Sequence, residues 1–314
     1  MSDYRVADRS TNRVGASITE ELVESDGVRI NVATAGTGSP VLLLHGFPDS
    51  WQLWRSQIEA LTARGFRVIA PDLRGHGKSD RPEEVAAYRM PNLLADIAAV
   101  LHHFGVASAA VVGHDWGAAI AWNLAFWRPE LIESLTVCSV GHPGAGFLAG
   151  IRQRQLSWYM LWFLQVGVAE SVLPADDWSA FRTWAWNGIE RGADPEADRQ
   201  MSDLSRPGAL TAALNLYRAN ISAATYFLPN PPPMPKVECP VLGVWSTGDA
   251  FLSEEQMTLS QRFVDGPWRY ERLPGAHWIP VQAADALTER LLDFLGSVQP
   301  DAVSSHRPDC GPGI

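Results

Sequence analysis

The chain has 314 residues, 46% hydrophobic and 19% charged, which is enough for a sizeable core in one large domain or two modest ones. Its 25 basic residues against 35 acidic ones give a net charge of -10, so a nucleic-acid-binding surface is disfavoured. The amino-terminal MSDYRVADRS lacks the apolar run of a signal peptide and no stretch approaches a membrane span. Cys138, Cys239 and Cys310 have neither metal-ligand nor disulfide-framework spacing, so a reduced, soluble, cytoplasmic protein is expected.

In chain order, residues 1–20 read as a loose leader. VRINVATAG (28–36) alternates and meets Gly-Thr-Gly-Ser-Pro, a strand followed by a turn. PVLLLHGFPDS (40–50) is an unbroken apolar run closed by glycine and proline, as expected of a strand buried on both faces of a parallel sheet. FRVIAPDLRGHG (66–77) and AAVVGHDWG (109–117) repeat that design, and LIESLTVCSVG (131–141) and CPVLGVWSTGD (239–249) follow it. Between strands, LLADIAAVLHHFG (93–105) places Leu94, Ile97, Leu101 and Phe104 at helical spacing, with Gly105 set to end the helix. Such alternation predicts a mostly parallel, doubly wound α/β sheet.

The alternation stops between about 141 and 236. LSWYMLWFLQVGV (156–168) and GALTAALNLYRANI (208–221) are helical and aromatic in character, and FLPNPPPMPKVECP (227–240) is a proline-rich exit. This stretch is expected to be a helical cap lying over the sheet's carboxyl edge, with 21–140 and 237–297 forming the core. The polar tail, 298–314, is expected to be disordered. Among thirteen tryptophans, Trp158, Trp162, Trp178, Trp184 and Trp186 cluster in the cap. They fit either ordinary core packing or an apolar pocket beneath an aromatic cover.

Gly113-His114-Asp115-Trp116-Gly117 has the spacing of a nucleophile elbow with aspartate at its centre. The helix that follows points its positive end at Asp115, which favours the ionised form. A carboxylate needs no base to be nucleophilic at neutral pH and can attack an sp³ carbon, forming an ester of itself. A plain helix cap is the other reading. Ester hydrolysis would require a base and its orienter, in the chain order nucleophile, acid, histidine. Asp249, in Thr247-Gly248-Asp249, and His277, in Gly275-Ala276-His277-Trp278, stand in that order. His277 would activate water while Asp249 holds its tautomer. Backbone N–H groups of Phe47, in the tight turn His45-Gly46-Phe47-Pro48, and of Trp116 would form the oxyanion hole. His102 and His103 lie near a helix end, His76 in a glycine-rich loop, and His114 is assigned to supporting the elbow. No zinc-ligand spacing, Walker motif or dinucleotide fingerprint is found, so no metal or organic cofactor is expected.

HGFP, RGHGKSD, GHDWG, STGD and GAHW together resemble the epoxide hydrolase family of the α/β-hydrolase fold, over most of residues 20–297. The resemblance implies hydrolysis of a small hydrophobic epoxide to a vicinal diol, with water as co-substrate. It also implies two cap tyrosines that donate to the epoxide oxygen. SWYMLWF places that role on Tyr159 and LNLYRANI places it on Tyr217, although Tyr217 also shares an apolar stripe with Leu210, Leu214 and Ile221 and could be a packing residue. Haloalkane dehalogenases share the Asp-Trp pair, but their usual asparagine donor is Phe47 here. Fluoroacetate dehalogenases normally follow the nucleophile with arginine, where Trp116 stands. A non-catalytic ligand-binding relative would be expected to lack a member of the triad or tyrosine pair, and none is lacking.

Overall fold

The computed structural model describes residues 17–226 and 233–298. Most of the expected leader, the segment 227–232, Cys310 and the tail after 298 lie outside the described residues. Eight strands form one sheet: β1 (Thr19–Ser25), β2 (Val28–Ala35), β3 (Pro40–Leu44), β4 (Arg67–Pro71), β5 (Ala109–His114), β6 (Ile132–Cys138), β7 (Val241–Ser246) and β8 (Trp268–Leu273). Their spatial order is β1-β2-β4-β3-β5-β6-β7-β8. From β4 to β8 all neighbours are parallel, while β1 and β2 join as antiparallel strands at one edge.

The leader expected over 1–20 is corrected at its end. TEELVES has no long apolar run, yet Thr19 and Glu20 already belong to β1. Asp26 and Gly27 turn β1 into β2 with φ of 47° and 78°, the left-handed pair that a two-residue hairpin requires. The central strands have the composition of a sheet buried on both faces: Val41, Leu42, Leu43 and Leu44 are fully buried, as are Val68, Ile69 and Ala70. Helix Met90–His103 ends where Gly105 takes a positive φ of 67°.

The chain leaves β3 for β4 on one side and returns to β5 on the other, so the loops after β3 and β5 part at their carboxyl ends. Such a reversal opens a crevice where α/β proteins place their sites. Leu44 pairs with Gly113, which brings the His45–Phe47 turn beside Asp115. Between β6 and β7 the described residues are helical, in eight segments from Pro143–Leu148 to Ala223–Tyr226. No helix among the described residues is long and apolar enough to cross a membrane.

Candidate active site

Asp115 terminates β5 at φ 52° and ψ -121°, a conformation that L-residues avoid and that costs about 1–3 kcal/mol. Helix Trp116–Trp127 starts at the next residue. The bend is this tight because the glycines admit backbone: a Cβ on Gly117 would collide with the carbonyl of Leu44, and one on Gly46 with the Asp115 side chain. The carboxylate makes no capping bond to the N–H groups further along the helix's first turn. It accepts instead from the N–H of Phe47 at 2.8 Å and from the N–H of Trp116. The two expected oxyanion donors therefore already converge on Asp115. The Phe47 ring packs against Phe163, Phe181 and Tyr217, so position 47 offers the site a backbone donor only.

His277 Nε2 stands 3.6 Å from Asp115 Oδ2, and its Nδ1 is 3.0 Å from Asp249 Oδ2. Asp249, just past β7, accepts through Oδ1 from the N–H groups of Phe251 and Leu252 at 2.8 and 3.0 Å, and its side chain is shielded from solvent. Burial opposes a charge on His277, but the flanking carboxylates of Asp249 and Asp115 outweigh it and push the imidazole pKa up to about 10. For Asp115, burial favours the neutral acid, yet His277 and the Trp116 N–H hold its pKa below the usual carboxylate value. Both shifts favour the carboxylate–imidazolium form of the pair. His114 donates from Nε2 to the carbonyl of His277 at 2.9 Å, its own ring kept neutral by burial with a pKa of about 4. It thus braces His277 from beside the elbow.

Both expected tyrosines lie over Asp115. Tyr217, in helix Ala209–Asn220, and Tyr159, which opens the five-residue helix Tyr159–Phe163, have ring centroids 6.2 Å apart. Tyr217 accepts a hydrogen bond from the Trp116 indole and shares another with Tyr159. Burial first, then Tyr159 and the charge on Asp115, raise its pKa well above the ordinary phenol value. It is a neutral hydroxyl at any physiological pH. A cavity of about 300 Å³ opens onto Asp115, Trp116 and Tyr159, with Val140, Phe147 and Ile221 among its walls. Asp115 and Tyr159 also border a second space of about 10 Å³, the size of one water, lined by His277, Tyr217, Phe251 and Trp278.

The cap tryptophans divide. Trp184 lies among Tyr159, Phe163 and Phe251 at the small space, and Trp186 stacks on Trp278 at 4.4 Å. Trp178 is a core residue, whereas Trp158 stacks on Trp162 at the surface and is 55% exposed. No cap tryptophan lines the larger cavity, so the aromatic cover is mainly packing. Phe251 was missed by sequence reading: its ring meets His277, Tyr159 and Trp184. The available signal was its place two residues after Asp249, where an aspartate side chain commonly bonds the next N–H groups. Gln153, which lines the larger cavity, left no signal. Among the described residues no cluster suited to a metal ion occurs.

Residues 39–284 match the family model of the alpha/beta hydrolase fold. The chain is 33% identical over 283 residues to the AB hydrolase superfamily protein YfhM of Bacillus subtilis, covering 88% of this chain and 97% of that protein. It is 30% identical over 330 residues to epoxide hydrolase A of Mycobacterium tuberculosis, covering 90% and 98%. A solved structure described among novel epoxide hydrolases from metagenomes of hot environments superposes with a TM-score of 0.76 at 29% identity, over 89% of this chain and 99% of that one. Matched over most of its length in sequence and in structure, the chain belongs to the epoxide hydrolase family of the α/β-hydrolase fold.

Proposed function

We propose that the protein hydrolyses a small hydrophobic epoxide to a vicinal diol in two steps through an ester of Asp115. The reading is carried by one observation: a carboxylate on a strained elbow, 3.6 Å from an imidazole and beneath two tyrosines. In the first step a carboxylate oxygen of Asp115 attacks a ring carbon, the carbon–oxygen bond of the epoxide breaks, and the departing oxygen takes a proton from Tyr217 or Tyr159. An alkoxide leaves poorly unless protonated, which is the task of the phenols.

Esterification removes one of the two charges that hold His277 as imidazolium. Its proton is released to the tyrosinate, restoring the phenol and leaving a neutral imidazole with Asp249 behind it. In the second step His277 takes a proton from water as the oxygen attacks the ester carbonyl. The N–H groups of Phe47 and Trp116 stabilise the tetrahedral oxyanion. Collapse expels the diol oxygen, which collects the proton of the newly formed Asp115 carboxyl group, and the resting carboxylate–imidazolium pair returns. Two roles for one histidine follow from counting the charges around it.

The chain division that fits this mechanism is a core of 21–140 and 237–297, carrying the triad, and a cap of 141–236, carrying the tyrosines. Apolar walls of the 300 Å³ cavity support a hydrophobic substrate. Each turnover transfers one carboxyl oxygen of Asp115 to the diol. Repeated turnover in oxygen-18 water should therefore place label in the peptide containing Asp115, detected by mass spectrometry. A label-free peptide after many turnovers of a styrene-type epoxide would exclude the ester.

A further inference from the structure

We propose that Gln153 is a positioning residue for the hydrolytic half-reaction, holding from the cap the turn that aims Asp249 and His277. The proposal rests on the ester mechanism above and adds to it a residue that touches none of the reacting atoms.

Gln153 lies in helix Gly150–Leu156, and its amide is fully engaged. Nε2 donates to Ser157 Oγ at 2.6 Å and to the carbonyl of Phe251 at 3.1 Å. Oε1 accepts from the N–H of Ser253 at 2.8 Å and from its hydroxyl at 2.9 Å. Two donors and two acceptor positions are the whole capacity of a glutamine amide. Although the residue lines the substrate cavity, it therefore has no bonding position left for a ligand. What it grips is a three-residue turn, with Ser157 Oγ adding 3.3 Å support to the Phe251 carbonyl.

That turn governs the triad. The N–H groups of Phe251 and Leu252 hold Asp249 Oδ1, so the rotation of the carboxylate, and with it the aim of Oδ2 at His277, depends on where Phe251 sits. The Phe251 ring also stands edge-on to the His277 imidazole, with centroids 5.1 Å apart and planes at 87°. One residue thus touches the acid through its N–H and the base through its ring. The cap fixes that residue through its carbonyl.

The two half-reactions should respond differently. Alkylation uses Asp115, held by Phe47 and Trp116, and Tyr217, which the Asp249 turn does not hold; Gln153 reaches that step only through the Phe251 ring against Tyr159, the second donor. Ester hydrolysis uses His277 after Asp115 has lost its charge, with Asp249 as the remaining carboxylate partner and neutral His114 packed against the ring at 4.8 Å. In Gln153→Met, which keeps the length and removes the hydrogen bonds, hydrolysis of a trapped alkyl-enzyme should slow about tenfold, the equivalent of ~1.4 kcal/mol from one misaligned buried hydrogen bond. Alkylation should change less than about threefold. Because Asp249 raises the affinity of His277 for its proton, a poorly aimed Asp249 should also move the rising limb of the hydrolysis pH profile to lower pH. Rapid-quench mass spectrometry with a styrene-type epoxide reads both rates.

A merely structural glutamine would lower the melting temperature and leave the limb in place. Equal slowing of both steps, or an unmoved limb, would overturn the positioning role. Should Gln153→Met fail to fold, Ser253→Ala and Ser157→Ala each remove part of the clamp and should show the same asymmetry at smaller size. His277→Gln serves as the control for the mechanism. If it traps no ester, the underlying mechanism has failed, whereas a trapped ester with a symmetric Gln153→Met refutes the positioning role alone.

Discussion

The two halves of the site are held in place by different physics. Asp115, Asp249 and His277 stand at the ends of a parallel ladder whose registers, Leu44 with Gly113, Cys138 with Val244 and Ser246 with Leu273, fix their spacing through backbone hydrogen bonds. Tyr159 and Tyr217 hang from helices of five and 12 residues with no ladder. Tyr217 is secured by its neighbours: Arg218 pairs with Glu170 at 2.7 Å, and Asn220 bonds the carbonyl of Tyr88 and the N–H of Met90, joining this helix to the sheet side. Tyr159 begins a five-residue helix and is placed by its aromatic neighbours Phe163, Trp184 and Phe251. In the proposed mechanism the sheet half supplies nucleophile and base, and the cap half supplies protons. Loss of a cap tyrosine should therefore slow ring opening and spare ester hydrolysis, whereas loss of a sheet residue should stop the step in which that residue acts.

The largest expected effect lies in the sheet half. Asp115→Asn removes the attacking charge while keeping the shape, so turnover should fall by about 10⁴-fold or more and no covalent adduct should form. Measurable ester formation in that variant would place the nucleophile elsewhere. His277→Gln should be nearly as inactive in turnover yet still alkylate. Intact-protein mass spectrometry should then show one substrate mass added to the chain, stable over many normal turnover times. An unmodified protein would mean that His277 acts before the ester, contrary to the division of labour.

The cap half should give smaller and one-sided effects. Tyr217→Phe should slow ring opening by about 10²-fold, the usual worth of a positioned proton donor, because Tyr159 remains to assist. Hydrolysis of the ester, once formed, should stay within about twofold. Tyr159→Phe should show the same pattern, ring opening slowed and ester hydrolysis spared, with Tyr217 left to assist. Stopped-flow observation of single turnovers separates the steps, and equal slowing of both would remove the tyrosines from the donor role.

This contrast also explains what could be read from the chain. Buried strands write themselves as apolar runs, and an elbow as Gly-x-x-x-Gly around one acid, so β3 to β7, Asp115 and the order of Asp249 and His277 were legible. β1 was not, because TEELVES at a sheet edge keeps most of its side chains exposed and reads like a polar leader. Trp158 and Trp184 are equally aromatic, but one precedes a five-residue helix and the other lies in the last turn of a helix broken at Asp176–Trp178, and such short or interrupted helices give no periodicity from which to assign a face. Tyr217 shares its helical face with buried Leu210 and Leu214, and from spacing alone is a core residue. Gln153 and Phe251 lie 98 positions apart in the chain and meet only through the cap's placement.

The smallest expected effect concerns stability, and it separates the halves by charge. Burial works against an imidazolium at position 277, but Asp249 and Asp115 prevail and push its pKa up to about 10 from the ordinary 6.5. A group whose pKa is raised by folding binds its proton more tightly in the folded state. Its contribution to stability is complete below about pH 6.5 and is lost as pH rises through about 10. The melting temperature of the native chain minus that of His277→Gln should therefore be greatest near pH 6 and shrink steadily towards pH 10. Tyr217→Phe should show no such slope between pH 6 and 9, because burial keeps that phenol neutral throughout the range. Calorimetry of the three proteins across these pH values makes the comparison. A gap for His277→Gln that stays constant with pH would mean that the resting imidazole is neutral. In that case the proton that returns to the tyrosinate must come from solvent, and the two halves are not joined by the charge exchange that the mechanism assigns to them.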